Sequence, residues 1–328
     1  MITVENLKKD YKILKRDPGL SGAMKALFYR QYNIKEAVKG VNFSINQGEL
    51  VGYIGANGAG KSTTIKMLSG ILTPSEGMVS VNGIIPYKER QKNARQIGAV
   101  FGQRTQLFWD IPVRESYDLL KHIYEVPEEQ FKETLNLFTE VLQLSSLLEI
   151  PVRQLSLGQK MRCELAAAFL HKPSIVYLDE PTIGLDVAVK NSIRQFIKEM
   201  NRKWNTTVLL TTHDMQDIEE ICNRIIVIDE GQLVYDGDIQ TFKYSYGQKR
   251  SISLEMPDTA AFILPLELEY IVDVKESTEH HITISFNKDN MSASDVIGKI
   301  LRENVVTDIT ISEPKIETIV EQIYKHSM

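Results

Sequence analysis

The chain has 328 residues, of which 43% are apolar and 25% charged, so it can build a core and is too long for one small domain. Its net charge of −5 argues against a dedicated nucleic-acid binder, which normally has a basic excess. Two cysteines, Cys163 and Cys222, cannot form a disulfide framework or a zinc quartet, so we predict a reducing compartment. There is no signal-peptide pattern and no uninterrupted apolar stretch of about 18 residues, so we expect no membrane-spanning segment.

The pattern of apolar residues predicts alternating strands and helices over residues 1–240. A first edge strand is expected to end near Tyr11, and a basic insertion over 12–36 precedes a second strand over 38–45. A continuous apolar run over 50–54 is typical of a buried parallel strand. The further predicted elements are helices over 61–68, 114–150, 160–171 and 187–203, strands over 174–178 and 206–211, and a hairpin of 225–228 with 233–235. This alternation predicts an α/β fold with a mostly parallel sheet covered on both faces.

The pattern changes after Gly237. The predicted elements there are short strands within 250–287, a helix near 292–303, a strand over 305–312 and a final helix after Pro314. Charge changes as well, because residues 8–35 carry eight Lys or Arg against two Asp, whereas residues 251–328 carry fourteen acidic residues against six basic ones. We therefore predict two domains, one over 1–240 and a small α+β domain over 241–328.

A glycine-rich loop over residues 55–63 (GANGAGKST) follows the apolar strand and precedes a predicted helix. Its glycines let backbone N–H groups approach phosphate oxygens, Lys61 adds a point charge, and the helix N-terminus adds a partial positive charge. Ser62 offers a hydroxyl ligand to Mg²⁺. A chance glycine-rich turn is the competing interpretation, and the strand before it and the helix after it argue against that. The pattern predicts a nucleotide-phosphate site.

Two adjacent carboxylates, Asp179 and Glu180, end the apolar strand over 174–178. Such a pair is costly unless it faces a cation and a water. Asp179 is suited to hold Mg²⁺, and Glu180 is suited to orient and deprotonate an attacking water, which phosphoryl transfer needs. The dipeptide also ends many strands without any function, and the phosphate loop upstream favours the functional interpretation.

A second anion site is predicted at residues 155–159 (LSLGQ), before the predicted helix over 160–171. The Ser156 hydroxyl, the Gly158 backbone and the helix N-terminus together suit an anion. One chain therefore carries two half-sites for one kind of ligand, which either converge within the monomer or belong to two interfaces of a dimer. Taken alone, the motif is also explained by an N-cap Ser beside a flexible Gly.

In this combination and order, the motifs resemble those of the ATP-binding subunit of an ABC transporter, over about residues 1–240. Residues 55–63 match the Walker A loop, residues 174–180 match the Walker B strand with its catalytic Glu, and residues 155–159 match the family signature. Leu157 stands where the usual signature has a second Gly. The resemblance implies a P-loop ABC ATPase domain with a mostly parallel core sheet, an antiparallel β part and a helical subdomain at about 104–165.

The resemblance also assigns roles to single residues. Gln103 matches the Q-loop, Asp186 the D-loop and His213 the switch histidine. Tyr11 resembles the A-loop aromatic that stacks on adenine, and Tyr29 and Tyr32 compete for that role. With ATP and Mg²⁺ as cofactors, the implied residues are Glu180, His213 and Lys61 in catalysis, Ser62, Gln103 and Asp179 at the metal, and Tyr11, Gly55, Asn57, Gly58, Gly60, Lys61, Ser62, Thr63, Gln103, Ser156, Gly158, Gln159 and Asp186 at the nucleotide.

Family members pair head to tail, with each ATP between one Walker loop and the signature of the other chain. The resemblance therefore implies a homodimer or a heterodimer with a related ATPase subunit. It also implies integral membrane permease subunits as partners, a place at the cytoplasmic face of the cell membrane, and no nucleic acid. The insertion and residues 101–110 (FGQRTQLFWD) resemble a bacterial subgroup with separately encoded permeases, often predicted exporters.

Three features keep two interpretations each. The insertion predicts a basic amphipathic helix carrying Met24, Leu27 and Phe28, which docks on a membrane surface or permease, or packs on its own sheet. Phe108 and Trp109 line the groove that receives the permease, or pack in the core. The domain over 241–328 has no catalytic constellation, so it serves regulation or dimer support, or it only stabilises the chain.

The predicted function is therefore an ATPase subunit that powers a separate permease, with export as the expected direction. The rival is a soluble ABC ATPase in translation or DNA repair. Such proteins generally carry two tandem cassettes or a very long coiled-coil insertion, and this sequence has neither. The transported substrate is selected by the permease, so this sequence does not specify it.

Overall fold

The computed structural model describes residues 1–15, 31–102, 104–247, 249–313 and 316–326. The chain forms two compact units, Met1–Gly237 and Asp238–Met328. Within the described ranges, no helix combines the length and the apolar character that crossing a membrane requires.

The first unit alternates strands and helices along the chain. Its strands are β1 (Ile2–Lys15), β2 (Gln31–Ile45), β3 (Leu50–Gly55), β4 (Glu76–Val81), β5 (Ile97–Phe101), β6 (Ile175–Asp179), β7 (Thr207–Thr211), β8 (Arg224–Asp229) and β9 (Gln232–Asp238). Its helices are α1 (Lys61–Leu68), α2 (Arg90–Ala94), α3 (Val113–Ile123), α4 (Glu128–Val141), α5 (Leu157–Phe169), α6 (Val187–Trp204) and α7 (Met215–Ile221). A 3₁₀ turn at Val152–Gln154 precedes α5.

The core of the first unit is a six-stranded sheet in the order β5-β6-β7-β3-β8-β9. The pairs β5–β6, β6–β7, β7–β3 and β3–β8 are all parallel. Every residue of β3 and β7 is buried, as expected for central parallel strands covered on both faces. Because parallel strands share one carboxyl edge, the residues that follow β3, β6 and β7 meet there. The predicted α/β fold with a mostly parallel sheet is confirmed.

A three-stranded antiparallel sheet in the order β2-β1-β4 packs on this core. Val4 of β1, Phe43 of β2 and Val79 of β4 belong to the same buried cluster as Tyr53 of β3 and Ile65 of α1. The rings of Phe43 and Tyr53 lie 5.8 Å apart, within the range of favourable aromatic contacts. This shared cluster fixes β1 and β2 against the elements on either side of the phosphate loop.

The β1–β2 pair continues past the predicted end of the first strand. β1 ends at Lys15 rather than near Tyr11, and Lys15 pairs with Gln31. Both ends of the insertion predicted over 12–36 are therefore strand. The added pairs continue the strand register that the buried part of β1 and β2 sets. No local sequence pattern indicates how far that pairing continues. The predicted amphipathic helix falls on residues 16–30, outside the described residues.

The helices differ from the predicted ones mainly at their ends. The predicted helical stretch over 114–150 is two helices, α3 and α4, followed by irregular chain. Glu125 and Gln143 have φ of 54° and 53°, and this left-handed conformation ends each helix. α5 begins at Leu157, three residues before the predicted start, because Ser156 caps it. Elements β4, α2 and β5 lie where the sequence patterns predict none.

The second unit is a small α+β domain, as predicted. Its strands are β10 (Lys249–Glu255), β11 (Val272–Ser277), β12 (His281–Asn287) and β13 (Asp308–Ser312), antiparallel in the order β11-β12-β10-β13. Its helices are α8 (Ile239–Tyr246), α9 (Ala293–Glu303) and α10 (Ile316–His326). Ile252, Leu254 and Ile284 of the sheet pack with Val296 and Ile300 of α9 in a core cluster of their own.

Candidate functional site

A cavity of about 720 Å³ lies at the carboxyl edge of the parallel sheet. Its described lining consists of Asn57, Gly58, Gly60, Lys61, Ser62 and Thr63 from the phosphate loop and α1, Glu180 and His213 from the ends of β6 and β7, and Tyr11, Lys12, Ile13, Lys35 and Ala37 from the β1–β2 pair. A volume of this size suits a drug-sized or nucleotide-sized ligand. The structure thus brings the predicted phosphate-binding and catalytic side chains to one place.

The phosphate loop connects β3 to α1, and its glycines leave the backbone uncovered. Gly58 has φ of +86°, and nothing in the described part of the chain lies within 4 Å of the position that a Cβ would take. Gly60, the N-cap of α1, has φ of +105°, and its Cβ would lie 2.5 Å from Ala37 O. Only glycine fits there. Loop N–H groups and the N-terminus of α1 are therefore accessible to phosphate oxygens.

Lys61 is the first residue of α1 and is only 8% exposed. Its Nζ donates hydrogen bonds to Gly55 O at 2.6 Å and to Ala56 O at 3.2 Å. Burial lowers the pKa of Lys61, and the negative charges of Glu180 and Asp179 act in the opposite direction. The ammonium is therefore fixed beside the loop and within electrostatic reach of both carboxylates.

Ser62 and Asp179 form a pair of oxygen ligands. Ser62 Oγ donates to Asp179 Oδ1 at 3.2 Å, and Thr211 Oγ1 donates to the same oxygen at 2.6 Å. Hydroxyl and carboxylate oxygens are the ligands that Mg²⁺ prefers. The described residues contain no cluster of three or more His, Cys, Asp or Glu that could hold a metal. Gln103, the third predicted metal ligand, lies outside the described residues, as does Tyr29.

Glu180 and His213 lie next to each other at the ends of β6 and β7. Glu180 Oε1 is 3.1 Å from His213 Nε2, and Glu180 Oε2 accepts a hydrogen bond from the His213 backbone N–H at 3.2 Å. Glu180 is 17% exposed and His213 49% exposed. Burial raises the pKa of Glu180, whereas the neighbouring His213 and Lys61 lower it in part. A carboxylate with a raised pKa is a better base for a proton of water.

The backbone of Glu180 is strained. Its φ is 58°, in the left-handed region that non-glycine residues rarely adopt, and its N–H donates to Thr211 O at 3.0 Å. A residue keeps such a conformation only when its surroundings hold it there, and such residues concentrate at functional sites. The turn after β6 therefore aims the carboxylate at the cavity at a conformational cost.

The predicted second anion site does not line this cavity. Ser156 Oγ accepts from the Gln159 N–H at 3.3 Å, and Gln159 Oε1 accepts from the Ser156 N–H at 2.9 Å, which forms a capping box at the start of α5. Among the described lining residues, none is Ser156, Gly158, Gln159 or Asp186. Asp186 instead caps α6 by accepting from the Val189 N–H at 2.9 Å. A Cβ on Gly158 would lie 3.4 Å from Val189, so the start of α5 and the start of α6 are neighbours.

Phe108 and Trp109 follow β5 and are 43% and 52% exposed, so neither is a core residue. The Phe108 N–H donates to Ser116 Oγ of α3 at 3.2 Å. The Lys160 ammonium of α5 lies 5.1 Å from the centre of the Trp109 ring, a cation–π distance. The two aromatic side chains therefore lie exposed beside α3 and the start of α5.

Two groups of residues at the site are not predicted by the sequence patterns. Lys12, Ile13 and Lys35 line the cavity because β1 and β2 extend further than predicted. Thr211 binds Asp179 because β7 lies next to β6 in the sheet. Thr211 lies two residues before the switch histidine His213, and this position is a sequence signal for a place at the site. The position of Lys12, Ile13 and Lys35 at the cavity depends instead on long-range strand pairing.

The chain belongs to the ABC transporter ATP-binding protein family. The family model described as ABC transporter matches residues 38–183. ABC transporter ATP-binding protein NatA of Bacillus subtilis is 30% identical over 227 residues, which is 69% of this chain and 91% of NatA. Linearmycin resistance ATP-binding protein LnrL of Bacillus subtilis is 29% identical over 296 residues, which is 88% of this chain and 94% of LnrL, so that match includes part of the second unit.

Relatives named for opposite directions of transport match to a similar extent. Nod factor export ATP-binding protein I of Burkholderia orbicola is 34% identical over 63% of this chain and 68% of its own length. Methionine import ATP-binding protein MetN 2 of Enterococcus faecalis is 34% identical over 62% of this chain and 60% of its own length. A solved dimer of an ATP-binding cassette in a post-hydrolysis state, bound to ADP and Pi, has a TM-score of 0.61 and 27% identity, and covers 73% of this chain and 99% of that chain.

Proposed function

We propose that this chain hydrolyses ATP to power a separate membrane permease, with export as the direction of transport. The observation that carries the hydrolytic part is the single cavity lined by Lys61, Ser62, Glu180 and His213. Transfer of a phosphoryl group to water needs a cation at the phosphates, ligands for a metal ion, and a residue that positions the attacking water. These four side chains and Asp179 supply those parts.

Each residue has a distinct part in the proposed reaction. The loop backbone and Lys61 Nζ bind the β- and γ-phosphate oxygens and offset their charge. Ser62 and Asp179 hold Mg²⁺, which when bound stabilises the charge that develops on the phosphates. Glu180 orients a water and accepts its proton while the water oxygen attacks the γ-phosphorus and the bond to the leaving ADP oxygen breaks. His213 fixes Glu180 and contacts the γ-phosphate.

Head-to-tail pairing supplies the second half of the site. The Ser156–Gln159 capping box lies outside the cavity of its own chain, so we infer that it binds the γ-phosphate held by a second subunit. ATP then favours the closed dimer, because only that state uses both half-sites, and hydrolysis removes the preference. The dimeric solved cassette of similar fold supports this arrangement. The second subunit is another copy of this chain or a related ATPase.

The permease contact is proposed at Phe108 and Trp109, which are exposed on the surface beside α3 and α5. The resemblance of residues 101–110 to a subgroup with separately encoded permeases supports export. Relatives named for import and for export both match the chain, so their names do not decide the direction. A soluble ABC ATPase in translation or DNA repair is the alternative, and no feature of the described residues favours it.

The hydrolytic assignment is tested with Glu180→Gln, which keeps the size of the side chain and removes its charge. We expect ATP binding to persist in calorimetry, turnover to fall by about 100-fold or more, and an ATP-bound dimer to accumulate in size-exclusion chromatography. The matched control is Glu133→Gln on the exposed face of α4, which should behave as the unmodified chain does. Unaltered turnover in Glu180→Gln, or loss of ATP binding, would contradict the role given to Glu180.

The transport part is tested by co-purification. The tagged chain is extracted gently from membranes of its native host, and its stoichiometric partners are identified by mass spectrometry. A polytopic membrane protein is the expected partner, and it supplies the permease for direct transport assays in vesicles of either orientation. Ribosomes or DNA-repair proteins in place of a membrane partner would support the soluble alternative.

A further inference from the structure

A buried ion pair connects two helices next to the cavity. Arg194 of α6 is 2% exposed, and Asp217 of α7 is fully buried. Arg194 Nε donates to Asp217 Oδ1 at 2.6 Å, and Nη1 donates to Glu220 Oε1 at 2.9 Å. Burying two charges carries a large desolvation penalty, and an apolar pair of similar volume often stabilises a fold as well or better. Stability alone therefore does not account for this pair.

The other oxygen of Asp217 holds two loops at once. Oδ2 accepts hydrogen bonds from the hydroxyls of Thr182 and Thr212, the latter at 3.1 Å. Thr182 follows Glu180 by two residues, and Thr212 directly precedes His213. Both threonines are 2% exposed, so water does not replace the carboxylate as their acceptor. One buried carboxylate therefore links the loop of the proposed base to the loop of the switch histidine.

The direction of the Thr212 hydrogen bond is set by its neighbours. The Asp214 N–H donates to Thr212 Oγ1 at 3.0 Å, and because an ionised carboxylate only accepts, the single proton of that hydroxyl is donated to Asp217. Asp214 Oδ2 in turn accepts from Lys190 Nζ at 2.6 Å. Lys190 and Arg194 are four residues apart and share one face of α6. Arg194 Nη2 lies 3.6 Å from the same Asp214 oxygen, so two charged contacts run from this helix to the His213 loop.

The Glu180 loop is the part that most needs such a restraint. Its left-handed φ of 58° is a conformation that persists only under restraint from the surrounding structure. The backbone bond from the Glu180 N–H to Thr211 O restrains one side of the turn. The Thr182 hydroxyl bond to Asp217 restrains the other side. Without it, only the direct contacts with His213 and the backbone bond to Thr211 O hold the carboxylate of Glu180 in place.

We propose that Asp217 and Arg194 are positioning residues. They hold Glu180 and His213 in place relative to each other and relative to α6. Helix α6 begins directly after Asp186. The Arg194–Asp217 pair therefore connects three motif segments, those of Glu180, His213 and Asp186. The proposal rests on the proposed ATPase function. Neither Asp217 nor Arg194 is among the described lining residues of the cavity, so both act through the threonines. Displacing a catalytic group by about 1 Å can cost on the order of 100-fold in rate, so a modest shift is measurable.

The test compares Thr182→Val with Thr182→Ser. Valine keeps the volume and branching of threonine and removes the hydroxyl, whereas serine keeps the hydroxyl. The purified full chain is assayed for kcat and KM with MgATP, and ¹⁵N-histidine spectra report the ring resonance of His213, assigned with His213→Gln. Thr212→Val and Thr212→Ser repeat the comparison on the other loop. Thermal unfolding of each variant shows whether it is folded.

We expect Thr182→Val to lower kcat by roughly 10-fold with KM within about twofold, and to move the His213 resonance. Thr182→Ser should restore both to near those of the unmodified chain. Unchanged kcat and an unmoved resonance in both valine variants would overturn the proposal, as would equal impairment in the serine variants. Unfolding of both valine variants with intact serine variants would identify a purely structural role and also overturn it. If Glu180→Gln hydrolyses ATP as the unmodified chain does, the proposed function fails, whereas the His213 resonance still tests the link.

Discussion

Tyr11 provides the sharpest test of how the cavity binds its nucleotide. Its ring lines the cavity, it is 36% exposed, and Lys9 Nζ lies 5.6 Å from its centre. Stacking of a base on an aromatic side chain is worth about 1–3 kcal/mol. At 1.4 kcal/mol per factor of ten, Tyr11→Ala should therefore weaken ATP binding by about 5- to 140-fold. Tyr11→Phe should lose less than about twofold, because the Tyr11 Oη to Thr63 Oγ1 distance of 3.5 Å is long for a hydrogen bond between hydroxyls.

Calorimetry with two ligands separates the base from the phosphates. Tyr11→Ala should bind ATP more weakly and inorganic triphosphate unchanged, since the phosphate loop and Lys61 are untouched. Tyr32→Ala is the matched control, because Tyr32 is exposed on the adjacent strand opposite Leu14 and is not among the described lining residues. ATP affinity that is unchanged in Tyr11→Ala, or lower in Tyr32→Ala than in Tyr11→Ala, would refute the stacking role.

Three further predictions follow from the site and its surroundings. Gly158→Glu adds a negative charge at the start of α5. We therefore expect the ATP-dependent dimer to be lost in size-exclusion chromatography and hydrolysis to slow by about 100-fold. The ATP affinity of the monomer should stay within about threefold. Burial raises the pKa of Glu180, and the base must be ionised to act. The kcat should therefore fall on acidification with a midpoint above the usual glutamate pKa of about 4.3. A pH–rate profile that is flat down to about pH 4.3 would contradict this prediction. Burial lowers the pKa of His171 to about 4, from about 6.5 in the unfolded chain. Between those two pH values the unfolded chain binds a proton that the folded chain does not bind. The free energy of unfolding therefore falls by about 3 kcal/mol as the pH falls through that window. In urea melts, His171→Phe should flatten that dependence and the exposed His122→Gln should keep it, whereas equal slopes in both would refute the assignment.

Features that depend on short stretches of sequence were predictable. The phosphate loop lies between β3 and α1 as predicted, because a glycine-rich turn, an apolar run before it and a helix start after it are all local signals. The Ser156 cap is also local, although it moved the start of α5 three residues upstream of the predicted one. The parallel sheet was predictable because strand and helix alternate along the chain.

Features that depend on contacts distant in sequence were not predictable. Lys12 and Lys35 line the cavity only because β1 and β2 pair beyond the predicted strand end. Arg194 and Asp217 stand at ordinary positions of two helices, and nothing in their spacing of 23 residues indicates that they meet as a buried pair. The placement of such residues follows from tertiary packing, which a single sequence does not specify.

The left-handed backbone at Glu180 implies that glutamate carries a backbone strain at this position that glycine would not carry. Glycine adopts that conformation without penalty, whereas any side chain costs on the order of 1 kcal/mol there. A population selected for thermostability alone should therefore accumulate Glu180→Gly wherever relief of the backbone strain outweighs the lost contacts with His213. Retention of glutamate would then report that turnover, rather than folding, was under selection in the host.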